Sequence, residues 1–194
     1  MFLFKAEPGM RPGKKIIEMR TRGMDTGPDG PLAYIYAKGS LLKKEDNGQT
    51  TLVWERRLYN LWAPMEVLIS NSGKFVVTID DWGGNRFSTN AVVIYNAKGN
   101  LIKRFAVSDI LTESEREKVI RSPSGDFWGG GHRIEESRNL LVLRIVTNKK
   151  MPTEPGVEFR EKYIRLDSGE LFDAPPPAGA KLSAPQDSGG RSYR

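Results

Sequence analysis

The residues that could do chemistry in this chain gather in two glycine-rich stretches. The first is "TIDDWGGNRF" (78–87), where Asp80 and Asp81 follow a β-like run and precede Trp82, two glycines and Asn85. Neighbouring residues on a strand point to opposite faces, so two adjacent carboxylates converge only where the strand has already ended. Calcium takes six to eight oxygen ligands. No cofactor is expected outright, but Asp81, Asn85 and the carbonyls of the glycine loop could supply part of a calcium set. The alternative is a strand corner, where an aspartate accepts backbone N–H bonds and glycine takes positive φ. The second stretch is "SGDFWGGGHRIEES" (124–137), in which three glycines lead into His132, with Glu135 and Glu136 close behind. His132 could act as a general base oriented by a carboxylate, and a glycine run can wrap an anion with its amides. Against that, phosphate-wrapping runs open a helix, and a strand is expected here. A lone histidine at a strand start also serves as a packed structural residue.

Both stretches contain Trp-Gly-Gly. Loops at one end of neighbouring sheets would bring Trp82 and Trp128 to the sides of one cleft, a setting suited to carbohydrate or peptide. The competing reading has both tryptophans capping the core. The candidate binding residues are therefore Asp81, Trp82, Asn85, Trp128 and His132. The candidate catalytic residues are His132, Glu135 and Asp81. A glycosidase needs two carboxyls about 5–9.5 Å apart, which Asp81 and Glu135 could provide only if their loops converge.

Composition removes several chemistries. The chain has no cysteine and one histidine, which excludes thiol nucleophiles, disulfides, zinc–thiolate centres and any two-histidine metal site within one chain. No Gly-x-Ser-x-Gly elbow, P-loop or dinucleotide fingerprint is present. The net charge of +6 sits at the ends. Residues 1–22 hold six basic and two acidic residues, residues 174–194 hold three and one, and residues 23–173 hold 21 of each. A phosphate-binding surface concentrates charge on the folded part, so nucleic acid is not the expected partner. No apolar run is long enough to span a membrane, and "MFLFKAEPGM" lacks the pattern of a signal peptide.

The elements that must position these residues are strands. "LAYIYA", "TTLVWERRLY", "MEVLIS", "GKFVVTID", "NAVVIYN", "LIKRFAV", "NLLVLRIV", "EFREKYIRL" and "ELF" are short and rich in β-branched or aromatic residues. "AKGS", "EDNG", "NSGK", "NAKGN" and "DSGE" read as the turns between them. Residues 1–30 read as loop except for a strand at "KKIIEM". "SDILTESEREKVIR" (108–121) predicts one short helix, capped by Ser108 or by a Thr112–Glu115 capping box and stopped by Pro123. "AKGSLLK" (37–43) nearly recurs as "AKGNLIK" (97–103), and "SNSGKF" (70–75) as "SPSGDF" (122–127). The two offsets differ, and shared glycine turns explain both.

In "VVIY" both strand faces are apolar. In "LLVLRIV" Leu141, Leu143 and Ile145 line one face and Leu140, Val142 and Val146 the other. Strands apolar on both faces belong between two layers.

The stretch "SNSGKFVVTIDDWGGNRFSTNAVVIYNAKGNLIKRF" resembles one blade of a β-propeller of the WD-repeat or YVTN type. The matching residues are Ser70, Gly73, Lys74, Phe75, Val92, Ile94, Tyr95, Asn96, Gly99 and Leu101. The family's Trp-Asp ending is absent, since Asp81 precedes Trp82. About ten strands at four per blade cannot close a ring of ~4–8 blades.

The expected fold is thus all-β, with antiparallel sheets arranged as an incomplete propeller or a sandwich, plus one short helix. Residues 1–14 are expected to be loose, 15–173 a single β domain with its helix near 109–121, and 174–194 a disordered Pro/Gly/Ser-rich tail. The expected function is a non-catalytic module binding a protein or small ligand, with self-association through β edges as a further route. The alternative is a hydrolase using Asp81 with Glu135 or His132.

Overall fold

The computed structural model describes residues 1–8, 28, 36–60, 62–80, 90–122 and 125–177. They form antiparallel sheets. β1 (Phe2–Glu7), β2 (Lys38–Lys44) and β3 (Thr50–Arg57) make a three-stranded meander. β4 (Glu66–Ile69), β5 (Phe75–Ile79), β6 (Val92–Asn96) and β7 (Leu101–Phe105) make a four-stranded one. β8 (Ile120–Ser122) and β9 (Gly125–Phe127) pair as a hairpin with Ser122 opposite Gly125. β10 (Arg133–Glu135), β11 (Leu140–Val146), β12 (Phe159–Arg165) and β13 (Leu171–Phe172) make the last meander.

The sheets stack in series because the middle sheet is apolar on both faces. Val77, Ile79, Val92 and Ile94 pack with Leu141, Leu143, Ile145 and Ile164 of the last sheet. Val76, Val93 and Tyr95, on the opposite face, pack with Leu41 and Trp54 of the first sheet. The alternation within "VVIY" therefore serves two cores rather than one core and solvent. The first strands of the three meanders approach one another, β4 lying near both β1 and β10.

Glycine turns close the hairpins. Asn96 Oδ1 accepts from the amides of Lys98 and Asn100 at 2.9 and 3.0 Å, and Gly99 takes φ 74°. Trp54 and Arg56 of the first sheet lie against Gly99, where a Cβ would sit 2.8 Å from the indole. "AKGSLLK" departs from this pattern. It is strand rather than turn, and Gly39 lies within β2, pressed by Phe4 and Leu58. Two nearly identical words thus adopt different structures, because one glycine yields to close packing and the other to a positive φ.

Two further expectations change. The opening residues are not loose, since Phe2–Glu7 pairs along its length with β2 and puts Phe2 and Phe4 against the first core. Segment 108–121 is two helical turns, Val107–Ile110 and Glu113–Arg116, rather than one helix. Leu111 and Thr112 between them are extended. That break lets adjacent Ile110 and Leu111 both enter the core. The Thr112–Glu115 capping box forms as expected. "KKIIEM", most of "LAYIYA" and the tail from 178 lie outside the described residues.

Candidate functional site

Asp80 directly follows β5, and its main chain is held by the N–H bond to the Ala91 carbonyl at 2.9 Å. Its carboxylate accepts from Asn60 Nδ2 at 2.8 Å, and Asn60 Oδ1 accepts from the Thr78 hydroxyl at 2.7 Å. Asn60 and Thr78 are buried. Tyr95 joins the same node, its hydroxyl accepting from the Tyr59 amide at 3.0 Å, and burial pushes its phenol pKa up. From the last sheet's side, Trp128 Nε1 donates to the Asp80 carbonyl at 3.2 Å. Asp80 thus knots together the segment after β3, the middle sheet and the segment after β9. Asn60, Thr78, Tyr95 and Trp128 each direct a polar atom at a hydrogen-bonding partner inside protein, as burial requires. Its chemistry is that of a strand corner.

Asp81, Trp82 and Asn85 lie outside the described residues. Among the described residues no cluster of three histidine, aspartate or glutamate side chains could hold a metal ion.

Trp128 and His132 come together, their rings stacked at 5.2 Å between centroids and 29° between planes. Both are buried, at 2% and 5% exposure. The cause is local. Gly129 bridges to Ile145 of β11, and a Cβ there would overlap the Arg144 carbonyl oxygen. The glycine run lets the chain lie flat on β11 and fold His132 back onto Trp128. His132 Nδ1 then accepts from the Arg144 amide at 3.0 Å. An imidazole accepting at Nδ1 carries its proton on Nε2 when neutral, so its one lone pair is already taken. The amide of Gly130 is likewise directed at the Arg144 carbonyl, at 3.3 Å. Glu135, on β10, pairs with Arg138 at 3.5 Å.

A second polar cluster escaped the sequence reading. Lys162 and Glu115 are both buried, with Nζ 3.0 Å from the carboxylate and 2.6 Å from the Ile110 carbonyl. Arg160 adds a contact to Glu115 at 3.1 Å and to Asp173 at 2.9 Å. Burial alone would raise the Glu115 pKa. The Thr112 amide and the Lys162 ammonium outweigh it and hold the carboxyl below its ordinary value. The cluster ties the second helical turn to β12. The faint signal for it is the lysine in "REKYIRL", which falls on the apolar side of an alternating strand.

The exposed surface carries a different feature. Of the large apolar residues left exposed, Met1, Leu3, Leu52 and Val53 belong to the first sheet or its start. Leu3, Leu42 and Leu52 are cross-strand neighbours on its outer face. Three apolar residues in a row, "LVW" (52–54), were the available signal. The register shift opposite Leu41/Leu42 leaves Val53 without a partner on β2, so Leu52 faces out while Trp54 faces in.

No protein-family model matches the chain, and no curated protein matches it. Among the described residues, no helix is long and apolar enough to cross a membrane.

Proposed function

We propose that the chain is a non-catalytic protein-interaction module, its meanders set as consecutive blades of an incomplete propeller. The observation that carries the reading is the exposed Leu3, Leu52 and Val53 of the first sheet, with half-buried Leu42 joining Leu3 to Leu52 across its outer face. Contiguous exposed apolar surface on a folded protein marks a contact surface. The blade arrangement draws support from the serial stacking of the sheets and the approach of their first strands. The hydrolase reading draws none from His132, which is buried with Nδ1 engaged, or from Glu135, which is paired with Arg138.

The test is site-specific photocrosslinking in the native cell. A photoreactive residue at position 52 should yield a discrete adduct with a partner protein. The same residue at Glu154, an exposed loop position, should not. Equal, diffuse labelling from both positions would defeat the proposal.

A further inference from the structure

Among the described residues, the first sheet has one strand fewer than its neighbours. The middle and last meanders each have a fourth strand, β7 and β13, whereas β3 is the edge of the first. Among the described residues nothing pairs with the outer side of β3. An unpaired edge displays a row of backbone donors and acceptors.

Two side chains of β3 are also incomplete. Trp54 is 7% exposed, and its Nε1 has no hydrogen-bond acceptor among the described residues. Buried indole N–H groups usually find a partner. Arg56 follows on the same face, with Nε buried and unpartnered and no carboxylate paired with it among the described residues. Both lie against Gly99, where the first sheet meets the β6–β7 turn. A tryptophan N–H and a guanidinium two residues apart both call for acceptors, and the guanidinium calls for an anionic one.

We infer that β3 receives a fourth strand from a partner chain, an extended segment that pairs with Trp54–Arg57 and directs a carboxylate at Arg56. This rests on the interaction-module reading and deepens it by naming the edge and the chemistry of the partner. Strand addition of this kind draws affinity from main-chain hydrogen bonds and specificity from alternate side chains. The irregularity at Val53 sets the limit of pairing, since a bulge disrupts a ladder locally. Beyond it, four residues remain, between the length of β13 (two residues) and that of β7 (five). Leu52 and Val53, just before this stretch, are exposed and offer apolar contact to the incoming strand.

The experiment is selection of a random linear peptide library against the full chain, with hydrogen exchange read on β3. The expected binders carry an acidic residue, lose at least about tenfold in affinity on Arg56→Gln, and slow exchange of β3 amides. N-methylation at alternate positions of a selected peptide should abolish binding, a control that leaves the protein untouched if Arg56→Gln weakens folding. Binders that ignore both Arg56→Gln and N-methylation and instead respond to Leu3→Lys would overturn the edge inference while upholding the module. Absence of any binder overturns it too, and the crosslink at position 52 then decides the module separately. β3 amides as protected as those of β2 in the free protein would mean the chain covers its own edge, which also overturns it.

Discussion

At the scale of single residues, the polar groups of this protein divide by whether their partners are internal. Glu115 and Lys162 complete one another inside the fold. Removing one partner of a buried ion pair strands the other, at a cost of about 3–5 kcal/mol. Lys162→Met should therefore lower the melting temperature by roughly 6–20 °C, at ~2–4 °C per kcal/mol for this size, as calorimetry would show. The pH dependence has a definite sign. Glu115 is held below its unfolded pKa of about 4.3, so the stability it contributes is present above that value and is lost as pH falls through its lower folded value. Urea midpoints measured from pH 7 to pH 3 should fall less steeply at the acid end for Glu115→Gln than for the native chain. Parallel curves would remove Glu115 from the acid response. Thr78→Val tests the Asp80 node in the same way. It leaves the buried Asn60 Oδ1 without its hydroxyl donor, and about 1–3 kcal/mol of stability should go with it.

At the scale of elements, the glycines and caps decide where strands begin and end. Gly99 sits at φ 74° with Trp54 against it, so an alanine there meets both a disfavoured backbone and the indole. The left-handed conformation alone costs roughly 1–2 kcal/mol outside glycine. Gly48 has a similar φ of 82° with nothing near its Cα hydrogen. Gly99→Ala should thus destabilise more than Gly48→Ala in denaturant titrations, and equal losses would show that the Trp54 contact carries no weight. Thr112→Ala removes the side-chain acceptor for the Glu115 amide and should cost about 1 kcal/mol. Its effect also reports on Glu115, because the hydroxyl that the substitution removes donates to that carboxylate at 3.0 Å and helps to hold it charged.

At the scale of the molecule, stability should peak in the layer that is covered twice. β5 and β6 bury side chains on both faces and have a strand on either side. β8 and β9 form an isolated hairpin. Native-state hydrogen exchange should be slowest in β5 and β6 and much faster in β8 and β9, since local opening follows the loss of covering contacts. Protection spread evenly over all strands would contradict the layered description.

The sequence alone determined that this chain is built of short antiparallel strands and that β6 and β11 have two apolar faces, because a strand's alternation records directly what each face must meet. It offered the Thr112–Glu115 cap beside Ser108 for a similar reason, as both partners of the box lie within one turn. It also carried an all-β propeller-like or sandwich-like reading as far as local pattern can. Only the tertiary structure decided that Gly39 is strand while Gly99 is turn, that His132 faces Trp128 and the Arg144 amide, and that Lys162 meets Glu115 47 positions away. Each of these depends on what another sheet or loop places beside a residue, and one-dimensional spacing contains no record of that neighbour. The edge of β3, unpaired among the described residues, belongs to the same class. "TTLVWERR" reads as a strand in the sequence, but whether its far side is paired is settled by the count of strands around it.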